Sequence, residues 1–202
     1  MPIFYHYNTP GAEVAIWYAD EDTAFFQNEL KKLNFPSEEG YAVKHPEKRH
    51  QWFASRYVLC LLYPEAIALY SERKPYLFNG PAVSFSHSGK TAGVMLGEKA
   101  AGLDLQWRDE KLHRISSRYT TPEETERFGI DDELIALTYI WSIKEAVFKY
   151  YGTQLTFLRI EITDFSHRDE LAEVRISRKG KTARHKVRAT SKGNLVIAFV
   201  IE

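Results

Sequence analysis

The sequence has almost no cysteine: its 202 residues include one, Cys60, which lies in the apolar run YVLCLLY. A single cysteine cannot form an intramolecular disulfide, and it excludes a metal site built from cysteine thiolates. Its apolar neighbours predict a thiol buried in the core. A chain that does not depend on disulfides is typical of a reducing compartment, so we predict a cytoplasmic protein.

The sequence also lacks net charge and long apolar segments. Lys and Arg together number 27, as do Asp and Glu, so the formal net charge is zero. This balance predicts neither nucleic acid nor an anionic membrane as a partner. No run approaches the roughly 18 apolar residues of a membrane span, and the N-terminal segment lacks the features of a signal peptide. The composition is that of an ordinary soluble globular protein.

Apolar periodicity and turn residues predict a mixture of helices and strands. Each half of the chain offers helices followed by several strands, which hints at duplicated element order. Helices are predicted at 20–33, 46–63, around 64–70, near 108–118, at 122–128 and at 132–151. Strands are predicted at 12–18, 83–88, 91–97, 101–107, 158–165 and 194–202, with a hairpin at 172–190 whose turn is the basic segment RKGK.

Two oxygen-bearing side chains alternate with leucines in the segment GLDLQ. If this segment is a strand, Leu103 and Leu105 face one side while Asp104 and Gln106 face the other. The spacing alone is equally typical of an edge strand with one solvated face.

The helical segment WSIKEAVFK carries one carboxylate between two lysines. Trp141, Glu145 and Lys149 follow each other at intervals of four residues and therefore share one stripe of the helix. Lys144 is expected to lie to the side of that stripe. Taken alone, the pattern also fits an amphipathic helix with a Glu145–Lys149 surface pair worth a few tenths of a kcal/mol.

Further cationic residues precede these two motifs. His87 stands between two serines at the end of a predicted strand, and Lys74 precedes a proline that keeps the chain extended. Arg49 and Arg56 are seven residues apart and share a helix face. Each of them could contact an anion or could simply be structural or solvated.

Taken together and in order, these motifs resemble the 4'-phosphopantetheinyl transferases, specifically the larger, monomeric Sfp-like class. The W-x-x-K-E-A-x-x-K helix together with the G-[LI]-D strand is the most specific part, and motif support covers roughly residues 44–155. The matching segments are RKPY (73–76), FSHSG (85–89), AGLDLQ (101–106), YTTPEE (119–124) and WSIKEAVFK (141–149).

The resemblance implies an α+β fold of two similar halves related by pseudo-twofold symmetry. It places the coenzyme A-contacting half at 1–100 and the metal-binding half, with the W-x-x-K-E-A-x-x-K helix, at 101–202. The implied reaction is Mg²⁺-dependent transfer of the 4'-phosphopantetheine arm of coenzyme A to a serine of an apo carrier protein, with release of 3',5'-ADP. The carrier would be a small acidic helical domain of fatty-acid, polyketide or nonribosomal-peptide synthesis, and the enzyme would be a monomer.

The resemblance also implies roles for residues, and phosphoryl transfer needs such groups for positioning and charge neutralisation. Lys149 would contact the phosphates of coenzyme A and act with Glu145 in catalysis, where Glu145 draws the proton from the serine. Metal ligands would be Asp104, Gln106 and Glu145, since Mg²⁺ prefers hard oxygen donors. Coenzyme A contacts would come from Arg49, Arg56, Lys74, His87 and Lys149.

The sequence departs from the family pattern at two places. Gln106 stands where many Sfp-like enzymes have Glu, which predicts weaker Mg²⁺ binding or ligation through a water. Tyr119 stands where Phe is frequent, and Glu123 matches the acid of that motif. Two alternatives stay open: a Mg²⁺-dependent phosphohydrolase or nuclease using Asp104 and Glu145, and a non-catalytic relative that binds coenzyme A or a carrier without transfer.

Overall fold

The computed structural model describes residues 3–71, 74–152, 155–178 and 180–201. Arg73 of the RKPY motif therefore lies outside the described residues. The chain divides into two compact units, Met1–Ala100 and Ala101–Glu202. No helix in the described part of the chain combines the length and the apolar character that a membrane span requires.

The first unit is a four-stranded antiparallel sheet whose order is β1-β2-β6-β5, with a separate β3-β4 hairpin. The longest helix of this unit, α3, packs on β2 and β6, and α1 packs on α3. Its elements are β1 (Tyr5–Thr9), β2 (Ala12–Tyr18), α1 (Thr23–Lys32), α2 (Glu38–Ala42), α3 (Pro46–Leu62), β3 (Ala68–Ser71), β4 (Lys74–Leu77), β5 (Ala82–Ser88) and β6 (Thr91–Gly97).

Local signals account for most of these elements. Asp22 caps α1 by accepting from the Phe25 amide at 2.8 Å, and Pro46 occupies the first turn of α3. Cys60 is 4% exposed in the core of this unit, as predicted, and burial raises the pKa of its thiol to about 11. The helix predicted around 64–70 is wrong, because the segment continues into β3 and pairs with β4 at Leu69–Tyr76.

The second unit is a five-stranded antiparallel sheet in the order β7-β11-β10-β9-β8, with helices on one face. Its long helix α6 packs on β7, β11 and β10. Its elements are β7 (Leu103–Trp107), α4 (Glu110–Arg114), a 3₁₀ turn (Ser116–Arg118), α5 (Pro122–Arg127), α6 (Glu133–Tyr151), a 3₁₀ turn (Phe157–Arg159), β8 (Ile160–Ser166), β9 (Leu171–Arg178), β10 (Lys181–Lys192) and β11 (Leu195–Val200).

The long helix α6 has clear ends in the sequence. Asp132 accepts hydrogen bonds from the amides of Leu134 and Ile135 at 3.1 and 3.3 Å, and Gly152 ends the helix with φ of +77°. Its apolar side packs into the core of this unit, as predicted. Core residues on this helix include Ala136, Leu137, Tyr139, Ile140, Ile143, Ala146 and Val147.

The two units share a connectivity. In each, the strand that precedes the helices pairs antiparallel with the unit's last strand, β2 with β6 and β7 with β11. Mixed helices and antiparallel sheets agree with the predicted α+β class, and pseudo-twofold symmetry stays a prediction.

Candidate functional site

The strand β7 lies at one edge of its sheet and presents the candidate carboxylate. Asp104 is opposite Ala198 on β11 and Gln106 is opposite Val196, and both partners belong to the core beneath α6. Side chains directly opposite each other share one face of a sheet, so Asp104 and Gln106 lie on the helix-covered face. Asp104 is only 5% exposed, so the solvated edge that the spacing also allows is not what forms here.

The helix α6 approaches β7 closely at a glycine. A Cβ on Gly102 would lie 2.1 Å from the Ala146 carbonyl oxygen and 2.9 Å from the backbone nitrogen of Tyr150. A side chain at position 102 would therefore push the helix away from the strand. The sequence signal for this contact is the glycine that precedes Leu103 in the GLDLQ motif.

Lys149 connects the last turns of α6 to β7. Its Nζ lies 2.8 Å from Oδ1 of Asp104 and 2.9 Å from the carbonyl oxygen of Leu103. The ammonium thus places a positive charge against a nearly inaccessible carboxylate. Gln106 contributes a further amide, whose Nε2 donates to the Trp107 carbonyl at 2.7 Å.

Glu145 lies one helix turn before Lys149 and is half-buried. Desolvation raises the pKa of its carboxyl to about 7, with a further increase from the charge of Asp104 and a partial opposing effect of Lys149. Two acidic groups and one cation therefore lie within electrostatic reach of each other. A carboxyl with a pKa of about 7 can accept or release a proton near neutral pH.

This arrangement has the chemistry of a site for a hard cation and phosphate. Its oxygen donors are the two carboxylates and the Gln106 amide, and Mg²⁺ is commonly held by one or two protein carboxylates with phosphate and water. The described residues contain no group of three or more His, Cys, Asp or Glu side chains that could hold a metal alone. A cation at this site would therefore need donors from a substrate or water.

The remaining predicted residues lie in the first unit, and their environments differ. His87 is exposed near the end of β5, and Lys74 is exposed at the start of β4. Arg49 is partly buried and donates through Nε to the Val43 carbonyl at 2.8 Å. The structure thus gathers Asp104, Gln106, Glu145 and Lys149 in the second unit. Contacts of the other four with coenzyme A stay predictions.

Arg56 is more buried than a side chain that contacts phosphate at the protein surface. It is 4% exposed, its guanidinium lies over the rings of Trp52 and Phe85, and it donates to the Tyr70 hydroxyl and to Ser55 Oγ. Binding of coenzyme A by Arg56 would require this guanidinium to be uncovered.

Sequence reasoning missed a buried pair beside the site. Lys144, expected at the side of the stripe, is 2% exposed and bonds Glu124. In the YTTPEE motif, Glu124 faces inward, whereas Glu123 is exposed. Trp141 packs against Tyr119 and Phe157 within its own unit. No local pattern signals this pair, because its partners lie 20 residues apart in the chain.

Comparison with known proteins identifies a family for the second unit. The model of a family described as the 4'-phosphopantetheinyl transferase superfamily matches residues 100–200, which is half of the chain and contains β7 and α6. No curated protein matches the chain. The chain therefore belongs to the 4'-phosphopantetheinyl transferase superfamily, whose activity is the transfer of phosphopantetheine from coenzyme A to carrier proteins.

Proposed function

We propose that this protein transfers the 4'-phosphopantetheine arm of coenzyme A to a serine hydroxyl of an apo carrier protein, in a Mg²⁺-dependent reaction. The observation that carries the proposal is the Asp104, Glu145 and Lys149 cluster within the residues that match the superfamily. The serine oxygen forms a bond to the β-phosphorus of coenzyme A. The bond from that phosphorus to the bridging oxygen breaks, and 3',5'-ADP leaves with the electron pair.

The donors present fit Mg²⁺. Asp104 and Glu145 supply carboxylate oxygens, and Gln106 supplies an amide oxygen. The pKa of Glu145 is raised because desolvation and the charge of Asp104 disfavour its ionised carboxylate, which a bound cation would stabilise. Bound Mg²⁺ would neutralise charge on the pyrophosphate. The neutral Gln106 supports weaker metal binding than a third carboxylate would give.

Glu145 is the proposed acceptor of the serine proton, directly or through a water. Without a cation the pKa of its carboxyl is about 7, and a cation bound beside it would favour the ionised form, which is the form that can accept a proton. Half-burial keeps the carboxyl partly desolvated, and Asp104 opposes its ionisation, so Glu145 holds a proton more readily than an exposed Glu does.

Lys149 is the proposed phosphate contact. Its ammonium lies at the same end of β7 as Asp104, and a charged group in a partly desolvated site attracts phosphate more strongly than one in water. In the first unit, Arg49, Arg56, Lys74 and His87 are proposed contacts of coenzyme A, with Arg56 needing to be uncovered.

The Sfp-like class is the proposed subgroup. The support for this class is the organisation of the chain. In each unit, helices follow a strand that pairs with the last strand of the unit, β2 with β6 and β7 with β11. Two such units in one chain support a protein that acts as a monomer.

A single assay separates the proposal from its alternatives. The purified protein is incubated with coenzyme A, Mg²⁺ and an apo carrier protein, and the carrier is weighed by mass spectrometry. A mass gain of one phosphopantetheine arm is expected. Coenzyme A binding without any gain on several carriers would indicate a non-catalytic binding protein, and release of phosphate from coenzyme A without any gain on the carrier would indicate a phosphohydrolase.

A further inference from the structure

A buried ion pair lies directly beside the candidate site. Nζ of Lys144 is 2.6 Å from Oε2 of Glu124 and 2.7 Å from the Tyr119 carbonyl oxygen. The two side chains are 2% and 6% exposed. The ammonium thus has two buried acceptors on a segment that precedes Lys144 by 20 to 25 residues.

Glu124 accepts two further hydrogen bonds besides the one from Lys144. Its Oε1 accepts from the Ile162 amide at 2.8 Å, and its Oε2 also accepts from Thr120 Oγ1 at 3.0 Å. We name Tyr119, Thr120, Glu124, Lys144 and Ile162 the anchoring network. It joins α6 to the start of α5 and to β8, so three elements of the second unit meet at one pair of charges.

Stability alone is a poor explanation for such a pair. Burial lowers the pKa of Lys144, while Glu124 acts in the opposite direction. Desolvation of two charges offsets much of their attraction, so a buried pair adds little net stability over apolar residues of the same size. The network instead fixes the position of α6, because the two hydrogen bonds of Lys144 tie the helix to a carboxylate that is itself held by Ile162 and Thr120.

The position of α6 matters for the site because Glu145 directly follows Lys144 in the helix. Consecutive residues are about 100° apart around a helix, so Lys144 and Glu145 point to different neighbours of α6. On the side of β7 the helix is held by Lys149 and by the close contact at Gly102. A rotation of about 20° would move a side-chain tip, about 6 Å from the axis, by about 2 Å.

We propose that Lys144 and Glu124 form a positioning pair, which fixes the rotation of α6 and thereby the placement of Glu145 relative to Asp104. The expected effect on turnover rests on the proposed function, whereas the expected effect on the placement of Glu145 rests on geometry alone. A misplacement of about 1 Å in a catalytic site can lower the rate by about a hundredfold.

The test replaces both charges at once, in the double variant Lys144→Met with Glu124→Gln. Removing them together leaves no unpaired buried charge, and the Gln oxygen can still accept from the Ile162 amide. We expect a melting temperature within about 5 °C of wild type. We expect kcat to fall about tenfold or more while KM for coenzyme A stays within about threefold, the pattern of a lost transition-state interaction.

A crystal structure of the double variant provides a readout that does not depend on activity. The expected result is a shift of the Glu145 carboxylate relative to Asp104 by about 1 Å or more. An unshifted carboxylate overturns the proposal, whatever the turnover. If the wild-type protein modifies no carrier, the proposed function fails. Crystal structures of the wild-type protein and of the double variant still decide whether the pair positions Glu145.

Two further variants complete the design. Ser142→Ala is the matched control, because Ser142 is buried on the same helix and its Oγ has no hydrogen-bond partner among the described residues. It should retain wild-type kcat. Should the double variant fail to fold, Thr120→Val removes the hydroxyl that donates to Glu124 Oε2 and to the Thr121 carbonyl and leaves the Lys144–Glu124 pair in place. A several-fold fall in kcat is then expected, and unchanged kcat with an unshifted Glu145 counts against the pair.

Discussion

Lys149 and Asp104 form an ion pair across 45 residues of sequence, with Nζ 2.8 Å from Oδ1. The pair connects α6 to the edge strand β7, and the Asp104 side chain is 8% exposed in it. It brings the charge of Asp104 within electrostatic reach of Glu145, whose pKa that charge raises. The chemistry of the helix therefore depends on a residue of the strand.

Replacing Lys149 by Met should destabilise the protein by about 3 kcal/mol, because it leaves the buried Asp104 carboxylate without this cation. The free energy of unfolding in urea measures the effect. Lys32→Met is the matched control, since it breaks the exposed pair with Glu29 and should cost under about 0.5 kcal/mol. Equal losses in the two variants would contradict the stated role of the buried pair.

The raised pKa of Glu145 predicts a pH-dependent stability without divalent cations. Between pH 4.5 and about 7 the folded protein retains a proton on Glu145 that an unfolded chain with the ordinary pKa has released. Stability from this group is therefore fully present below pH 4.5 and lost as pH rises through about 7. The loss is at most about 3 kcal/mol.

The difference in unfolding free energy between wild type and Glu145→Gln isolates this effect. It should fall across the same pH range, because the amide does not titrate. A flat wild-type curve relative to Glu145→Gln would show that Glu145 titrates normally.

Glu145→Gln should lower turnover by about a hundredfold or more at saturating Mg²⁺, since an amide cannot accept the serine proton. Mass spectrometry of the modified carrier over time gives the rate. Full turnover in this variant would rule out the base role. Glu133→Gln makes the same change on an exposed side chain of the same helix, and this control should retain the wild-type rate.

Gln106→Glu should tighten binding of Mn²⁺, used as a spectroscopic substitute for Mg²⁺, by about tenfold, because it adds a carboxylate on the face of β7 that carries Asp104. Electron paramagnetic resonance of free Mn²⁺ reports the affinity. Gln27→Glu on α1 makes the same change in net charge away from the site. If both variants bind Mn²⁺ as wild type does, Gln106 is not near the metal.

Gly102→Ala should destabilise the second unit by about 2 to 3 kcal/mol, because the new Cβ overlaps the Ala146 carbonyl. Thermal unfolding and carrier modification should both be impaired. Gly11→Ala is the control: nothing lies within 4 Å of its Cβ position. A Gly102→Ala protein as stable as Gly11→Ala would disprove the tight helix–strand contact.

Local patterns predicted the elements that have strong local signals. The helix α6 has an Asp cap, a long apolar side and a terminal Gly, and its observed ends agree with the prediction. The segment 64–70 shows the limit, since pairing of β3 with β4 decided its conformation over its helical composition. The short edge strand β1 and the short helix α2 also lacked a strong pattern, and both were missed.

The same limit applies to the site. Alternation correctly placed Asp104 and Gln106 on one face of a strand, and four-residue spacing placed Glu145 and Lys149 on one stripe of a helix. Neither pattern could show that Asp104 is buried under α6. Burial depends on which element covers a face, and that is a long-range property.

By itself, the sequence determined the superfamily, the residue types of the site and the elements that carry them. Only the tertiary structure decided which charges meet: Lys149 with Asp104, and Lys144 with Glu124. These partners are 45 and 20 residues apart in the chain. No local pattern encodes such pairs, because they form only when packing of apolar faces brings the helix onto the sheet and removes water from between the charges.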